Sequence, residues 1–165
     1  MTLYTRSLAD NPPTLDGIDF VRRQYAADYA AIIWLQQNAE PGSVVLEAVG
    51  GSYSYYGRVS SMTGLPTVMG WANHESQWRG PFFGQLAGGR ESVVREIYDT
   101  PSITLAQQLL QDYDVTYIFV GSLEHTSGYA SASGLAKFER FFRAVFHENG
   151  VAIYRADQPL AEGQP

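Results

Sequence analysis

Residues 71–79 read WANHESQWR, the densest run of chemistry-bearing side chains in the chain. Trp71 and Trp78 offer indole faces, Asn73 and Gln77 offer amides, and His74, Glu75 and Arg79 offer an imidazole, a carboxylate and a guanidinium. That mixture suits a sugar or a phospho-sugar. Indoles stack on the apolar faces of a pyranose, amides and carboxylates bind hydroxyls, and an arginine holds phosphate bidentately. The same residues also suit a long loop pinned by two tryptophans, with His74 and Glu75 completing its hydrogen bonds. His-Glu opens one zinc-protease motif, but its second histidine is replaced by Trp78, so no metal is assigned. No cofactor is expected.

Three more candidates lie upstream. Glu47 ends an otherwise apolar run, SVVLEA at 43–48. It reads either as a ligand-binding or acid–base carboxylate, or as the buried partner of an arginine such as Arg58, since buried charges are normally paired. Tyr56 belongs to an aromatic cluster with Tyr53 and Tyr55 that either lines a sugar site or packs a helix under a sheet. Ser60, Ser61 and Ser122 have no adjacent base that would make them nucleophiles. Gly50-Gly51-Ser52 fits neither dinucleotide-binding nor P-loop spacing.

These residues must be positioned by an ordinary-sized domain, since 165 residues suffice for a core without staples. Residues 1–19, with Asn11-Pro12-Pro13 and Asp16-Gly17, read as an irregular leader, 20–156 as one domain, and 157–165 as a disordered tail. Helical spacing is expected over 28–38 with Asp28 as its cap, over 53–63, from Val93 to Tyr98, after a Ser102 cap, and at Leu135, Phe138, Phe142 and Val145. Strands are expected at 43–48, 67–69, 115–120 and 151–155. Asn149-Gly150 turns the last of them into a hairpin with 145–148. Residues 70–89 show no periodicity and read as a long loop.

Strands alternating with helices predict a layered α/β domain whose sheet is mainly parallel, with an antiparallel edge hairpin. Ligands gather at the carboxyl ends of strands in such sheets, and 47–51 and 70–80 follow two of the candidate strands. Bulk chemistry narrows the partners. A net charge of −6 argues against nucleic acid, which needs a cationic face. Charged residues are 17% of the chain against about a quarter in typical soluble domains, which suggests that part of the surface is normally covered. With no cysteine there are no disulfides or thiolate metal sites. No apolar run is long enough to span a bilayer, and 1–6 lack the basic and apolar segments of a signal peptide.

Several segments carry a resemblance: PTLDG at 13–17, VLEA at 45–48, YGRVS at 56–60, TGLP at 63–66, GW at 70–71, HE at 74–75 and QWRG at 77–80. With YIFVGSLE at 117–124, KFE at 137–139 and VAIYR at 151–155, the chain resembles an uncharacterised family of multi-pass membrane proteins of Chloroflexi and archaea. That family is named for a Tyr-Tyr-Tyr motif, which residues 53–57, YSYYG, do not reproduce. The resemblance covers most of 13–156 and is most specific in the middle third. It implies a C-terminal domain on the extracytoplasmic face of the cell membrane, partnered by the membrane-embedded part of the same polypeptide. It further implies glycosyltransferase-like chemistry on a polyprenyl-phosphate sugar or glycan, with the catalytic carboxylate in the membrane part and no turnover by this domain alone. Two other readings stay open: a structural lid or assembly module with no ligand of its own, and a free-standing carbohydrate-acting enzyme using Glu47 with Glu75.

Overall fold

A computed structural model describes residues 17–160. The leader expected over 1–19 lies outside the described residues as far as residue 16, and its last three residues open a helix. In chain order the elements are α1 (Gly17–Gln24), α2 (Ala26–Asn38), β1 (Val44–Leu46), α3 (Arg58–Thr63), α4 (Ala72–Arg79), a 3-10 turn (Gly80–Phe82) and α5 (Phe83–Leu86). There follow α6 (Arg90–Asp99), α7 (Ile103–Asp112), β2 (Val115–Val120), α8 (Ala132–Phe141), β3 (Phe142–Glu148) and β4 (Val151–Pro159).

The strands form one sheet in the order β1-β2-β4-β3. Alternation along β2 divides the core. Tyr117 and Phe119 join Ile32, Leu35, Val59 and Ile153 on the side of α2 and α3. Ile118 and Val120 join Val94, Ile97, Leu110 and Phe138 on the side of α6, α7 and α8. The result is a mixed α/β domain with helices on both faces of the sheet.

The sheet is not mainly parallel. β1 pairs with β2 in parallel, whereas β2–β4 and β4–β3 are antiparallel. Two features shift the balance. The expected strand at 67–69 sits between Pro66, which has no N–H to donate, and Gly70, and it contributes a single parallel bridge, Thr67 to Val45. The C-terminal hairpin then inserts β4 beside β2. Its turn is as expected, with Asn149 and Gly150 both at positive φ (50° and 78°). β4 runs to Pro159, so regular structure extends three residues into the expected tail.

Other boundaries move for local reasons. α3 starts only at Arg58, because Tyr53 (φ 57°) and Gly57 (φ 78°) turn the chain before it. α8 ends at Phe141 and enters β3 directly, so Phe142 and Val145 continue its spacing from a strand. Residues 70–89 are not a loop but α4, the 3-10 turn and α5. None of these elements buries a residue, so no apolar periodicity betrays them. α4 is instead supported by neighbours four apart, the Glu75–Arg79 ion pair and the Trp78–His74 hydrogen bond. Among the described residues no helix is long and apolar enough to cross a membrane.

Candidate functional site

The carboxyl ends of β1 and β2 converge on one buried arginine. Arg58, at the start of α3, has no exposed side-chain surface, and Asp28, Glu47 and Glu124 around it have none either. Its Nε donates to Asp28 Oδ2 at 3.0 Å and its Nη2 to Glu124 Oε2 at 2.7 Å. Nη1 lies 3.7 Å from Glu47 Oε2, too far for a hydrogen bond, and is the one buried side-chain polar atom without a partner among the described residues. The guanidinium also lies over the Phe119 ring at 4.7 Å.

Each carboxylate does a second task. Glu47 accepts from the Val59 and Ser60 N–H groups at 3.0 and 3.1 Å, satisfying the first amides of α3. Glu124 accepts from Ala48 N–H and Gly121 N–H, joining the exits of β1 and β2. Asp28 accepts from the Ser122 N–H and hydroxyl and from Tyr55 Oη. Gly121 must be glycine, because a Cβ there would stand 2.6 Å from Asp28 Oδ1. Burial pushes the Glu47 carboxyl above its usual range, with Arg58 opposing. For Arg58, burial acts to lower the pKa, but Glu124, Glu47 and Asp28 outweigh it and hold the guanidinium firmly protonated. Of the two roles open to Glu47, the geometry shows arginine pairing. Asp28 is not the expected cap: it is the third residue of α2 and faces inward.

This frame fixes α3, and α3 forms one wall of an open cleft of about 410 Å³. Gly57, Ser60 and Ser61 line that wall, residues 65–67 line the floor, and Gly70, Trp71, His74 and Glu75 line the opposite side. The Trp71 indole N–H donates to the Tyr56 carbonyl, which clamps the loop before α3 to the start of α4. Glu75 accepts from Gly70 N–H at 2.8 Å and from Arg79 Nε at 3.0 Å. His74 Nε2 accepts from Trp78 Nε1 at 3.0 Å. The imidazole is set edge-on to three rings, Tyr53, Trp71 and Trp78, with centroids 6.0–6.3 Å away.

Ten residues were singled out from sequence, and the structure divides them. Trp71, His74 and Glu75 line the cleft. Asn73, Gln77, Trp78 and Arg79 are exposed on α4 and lie outside the lining. Tyr56 contributes its carbonyl, while its ring packs on Tyr129. Glu47 and Arg58 lie behind the α3 wall, in contact with its backbone and core and not with the cleft. Sequence reasoning missed Ser60 and Ser61 as lining residues. Both hydroxyls donate to the Gly57 carbonyl, so neither is paired with a base. It also missed Asp28 and Glu124. The available signal was that Glu124, like Glu47, follows the C-terminal end of a buried strand.

The arrangement offers aromatic faces, hydroxyls, an imidazole and a carboxylate around a space large enough for one or two sugar rings. A pair of carboxylates is not assembled there, since Glu47 is 1% exposed and both its oxygens are engaged by α3. No family model, no curated protein and no solved structure matches this chain.

Proposed function

We propose that this chain is the extracytoplasmic domain of a multi-pass, glycosyltransferase-like membrane protein, and that the cleft between α3 and α4 helps to bind a glycan or the sugar of a lipid-linked donor. The observation that carries this reading is the cleft lining: the Trp71 indole, the His74 imidazole and the Glu75 carboxylate share one wall with an open space of about 410 Å³ between them and the hydroxyl-bearing start of α3. In this reading the bond-forming chemistry belongs to the membrane-embedded part of the same polypeptide. The domain contributes orientation, in which a stacked ring face and hydrogen bonds to hydroxyls fix one sugar relative to the reacting centre.

The test is a titration of the ¹⁵N-labelled chain with glucose 1-phosphate, mannose 1-phosphate and a disaccharide, read at the indole and α4 amide resonances. Saturable shifts centred on Trp71 and His74 are expected, with roughly tenfold weakening in Trp71→Phe from loss of the clamp to Tyr56. No saturable shift with any of the three, or shifts that ignore the Trp71 substitution, would sink the reading.

One observation favours a second role for the neighbouring arm. Trp78, Phe82 and Leu86 on α4–α5 are 80%, 61% and 53% exposed, more apolar surface than an arm in water needs. A lid or assembly module would pack this arm on the membrane part. Phe82→Ser, on that arm and outside the cleft lining, should then loosen the intact membrane protein while leaving sugar titrations of the domain unchanged.

A further inference from the structure

A second groove is larger than the α3–α4 cleft. It lies at the opposite edge of the sheet, between α8 and the β3–β4 hairpin, and holds about 630 Å³. Its apolar lining comes from Leu135 and Ala136 on α8 and from Phe142, Ala144 and Ala152 on the strands. Into it opens Tyr154, which is 8% exposed.

The hydroxyl of Tyr154 differs from those of the other buried tyrosines. Tyr98 Oη donates to the Leu46 and Phe119 carbonyls. Tyr117 Oη is held by Glu40 and Arg155, and Tyr129 Oη accepts from Val49 N–H. Tyr154 Oη has no hydrogen-bond partner among the described residues and is open to the groove, since Arg58 Nη1 alone is buried without one. Burial, reinforced by Glu139, pushes it up to about 12, so at neutral pH it is a proton-bearing donor. Around the groove stand His125, His147 and Arg143, whose side chains make no hydrogen bond or ion pair with any described residue. Glu139 is the only carboxylate among the described lining residues. Among the described residues no three of His, Asp, Glu or Cys are placed to hold a metal.

We infer that this groove is a second binding site, for an amphipathic organic acid with an apolar body, a neutral carbonyl or ether oxygen that accepts from Tyr154, and an anionic head held by Arg143 and the histidines. Glu139 decides the order of these parts. Its charge beside Tyr154 repels an anion there, so the head sits at Arg143 and a neutral acceptor meets the phenol. The inference does not depend on the sugar-binding reading, because the two sites share no residue.

The test uses N-octanoylglycine, which carries all three parts, and its uncharged amide, N-octanoylglycinamide, titrated calorimetrically into the full chain. Saturable binding of the acid is expected, with binding of the amide at least several-fold weaker. Tyr154→Phe keeps the ring and removes only the donor, and should weaken the acid roughly tenfold. Ala136→Trp, at an exposed α8 position that tolerates bulk, should fill the groove and abolish binding, with circular dichroism confirming the fold. Trp78→Ala, on the exposed α4 arm, should change nothing. Absence of saturable binding, equal affinity for acid and amide, an unchanged Kd in Tyr154→Phe, binding that survives Ala136→Trp, or binding lost in Trp78→Ala would each overturn the assignment.

Discussion

Replacing Arg58 with Met removes the only cation among Asp28, Glu47 and Glu124 while keeping most of the side-chain volume. Removing one partner of a buried ion pair costs about 3–5 kcal/mol, because the remaining charge is left uncompensated. Here three carboxylates would be left, so the upper half of that range is expected. A domain of this size loses roughly 2–4 °C of Tm per kcal/mol. Thermal unfolding of Arg58→Met followed by circular dichroism should therefore show Tm lower by roughly 8–20 °C.

The pH dependence separates this mechanism from simple loss of packing. Without Arg58 to oppose it, burial raises the Glu47 carboxyl further above its unfolded value, so the folded state binds a proton there that the unfolded state has released. Stability of the variant is then greatest near the unfolded carboxylate pKa, about 4. It is lost as pH rises. Glu47 already leans this way in the parent, since its carboxyl is raised by burial, but Arg58 opposes the rise. The deficit between variant and parent should widen from pH 5 to pH 8. Glu124→Gln should also cost less in the Arg58→Met background than in the parent. A Tm loss below about 3 °C, or a deficit flat across that pH range, would refute the account of Arg58 as the neutralising centre of the frame.

Gly134→Ala should destabilise by about 1–3 kcal/mol in urea melts, because a Cβ there would meet the Tyr98 and Asp99 carbonyl oxygens at 2.5 and 2.6 Å and backbone cannot step aside cheaply. Tyr98→Phe removes the hydroxyl shared by the Leu46 and Phe119 carbonyls on adjacent strands, and should cost about 1–3 kcal/mol by the same measurement. Lys137 donates to the Tyr98 and Gly134 carbonyls, and burial lowers its pKa to about 8. Between pH 8 and 10.5 the unfolded state therefore holds a proton that the folded state has released, so Lys137 contributes a rise in stability with pH across that window. Denaturant midpoints from pH 7 to 10 should show the rise in the parent and lose this component in Lys137→Met.

Local chemistry was legible wherever one short-range rule acted alone. The β-branched and aromatic run Val115–Val120 is β2 to the residue. Ser102 caps α7 by accepting from Leu105 N–H, and Asn149-Gly150 closes the hairpin. What failed was what depends on partners far along the chain. Whether the sheet is parallel or antiparallel was decided by β4 entering beside β2, and no local pattern encodes that. Asp28 has the type and place of a cap, yet Ser122, 94 residues away, and Arg58, 30 residues away, claim its side chain.

The candidate site shows the same division more sharply. Reading 71–79 as a loop treated its side chains as equivalent, so all of the polar and aromatic ones were grouped. As a helix, α4 places positions 74, 75 and 78 along one stripe that continues from its N-cap, Trp71, and turns 73 and 77 away from it. Trp71, His74 and Glu75 occupy the part of that stripe that faces α3. Trp78 sits one turn further along, bonded to His74 and open to solvent. The helical period, invisible without a buried face, decides which of these residue types share the cleft. Arg58 and Glu47 obey the opposite logic. Their charges looked like site chemistry because charge in an apolar run is expensive, and that cost is met by one another, by Asp28 and Glu124, and by the first amides of α3. They shape the cleft by fixing α3 in place, so under the proposed sugar-binding role substitutions there should change affinity only through the position of Ser60 and Ser61, whereas substitution of His74 or Glu75 should act on a bound sugar directly.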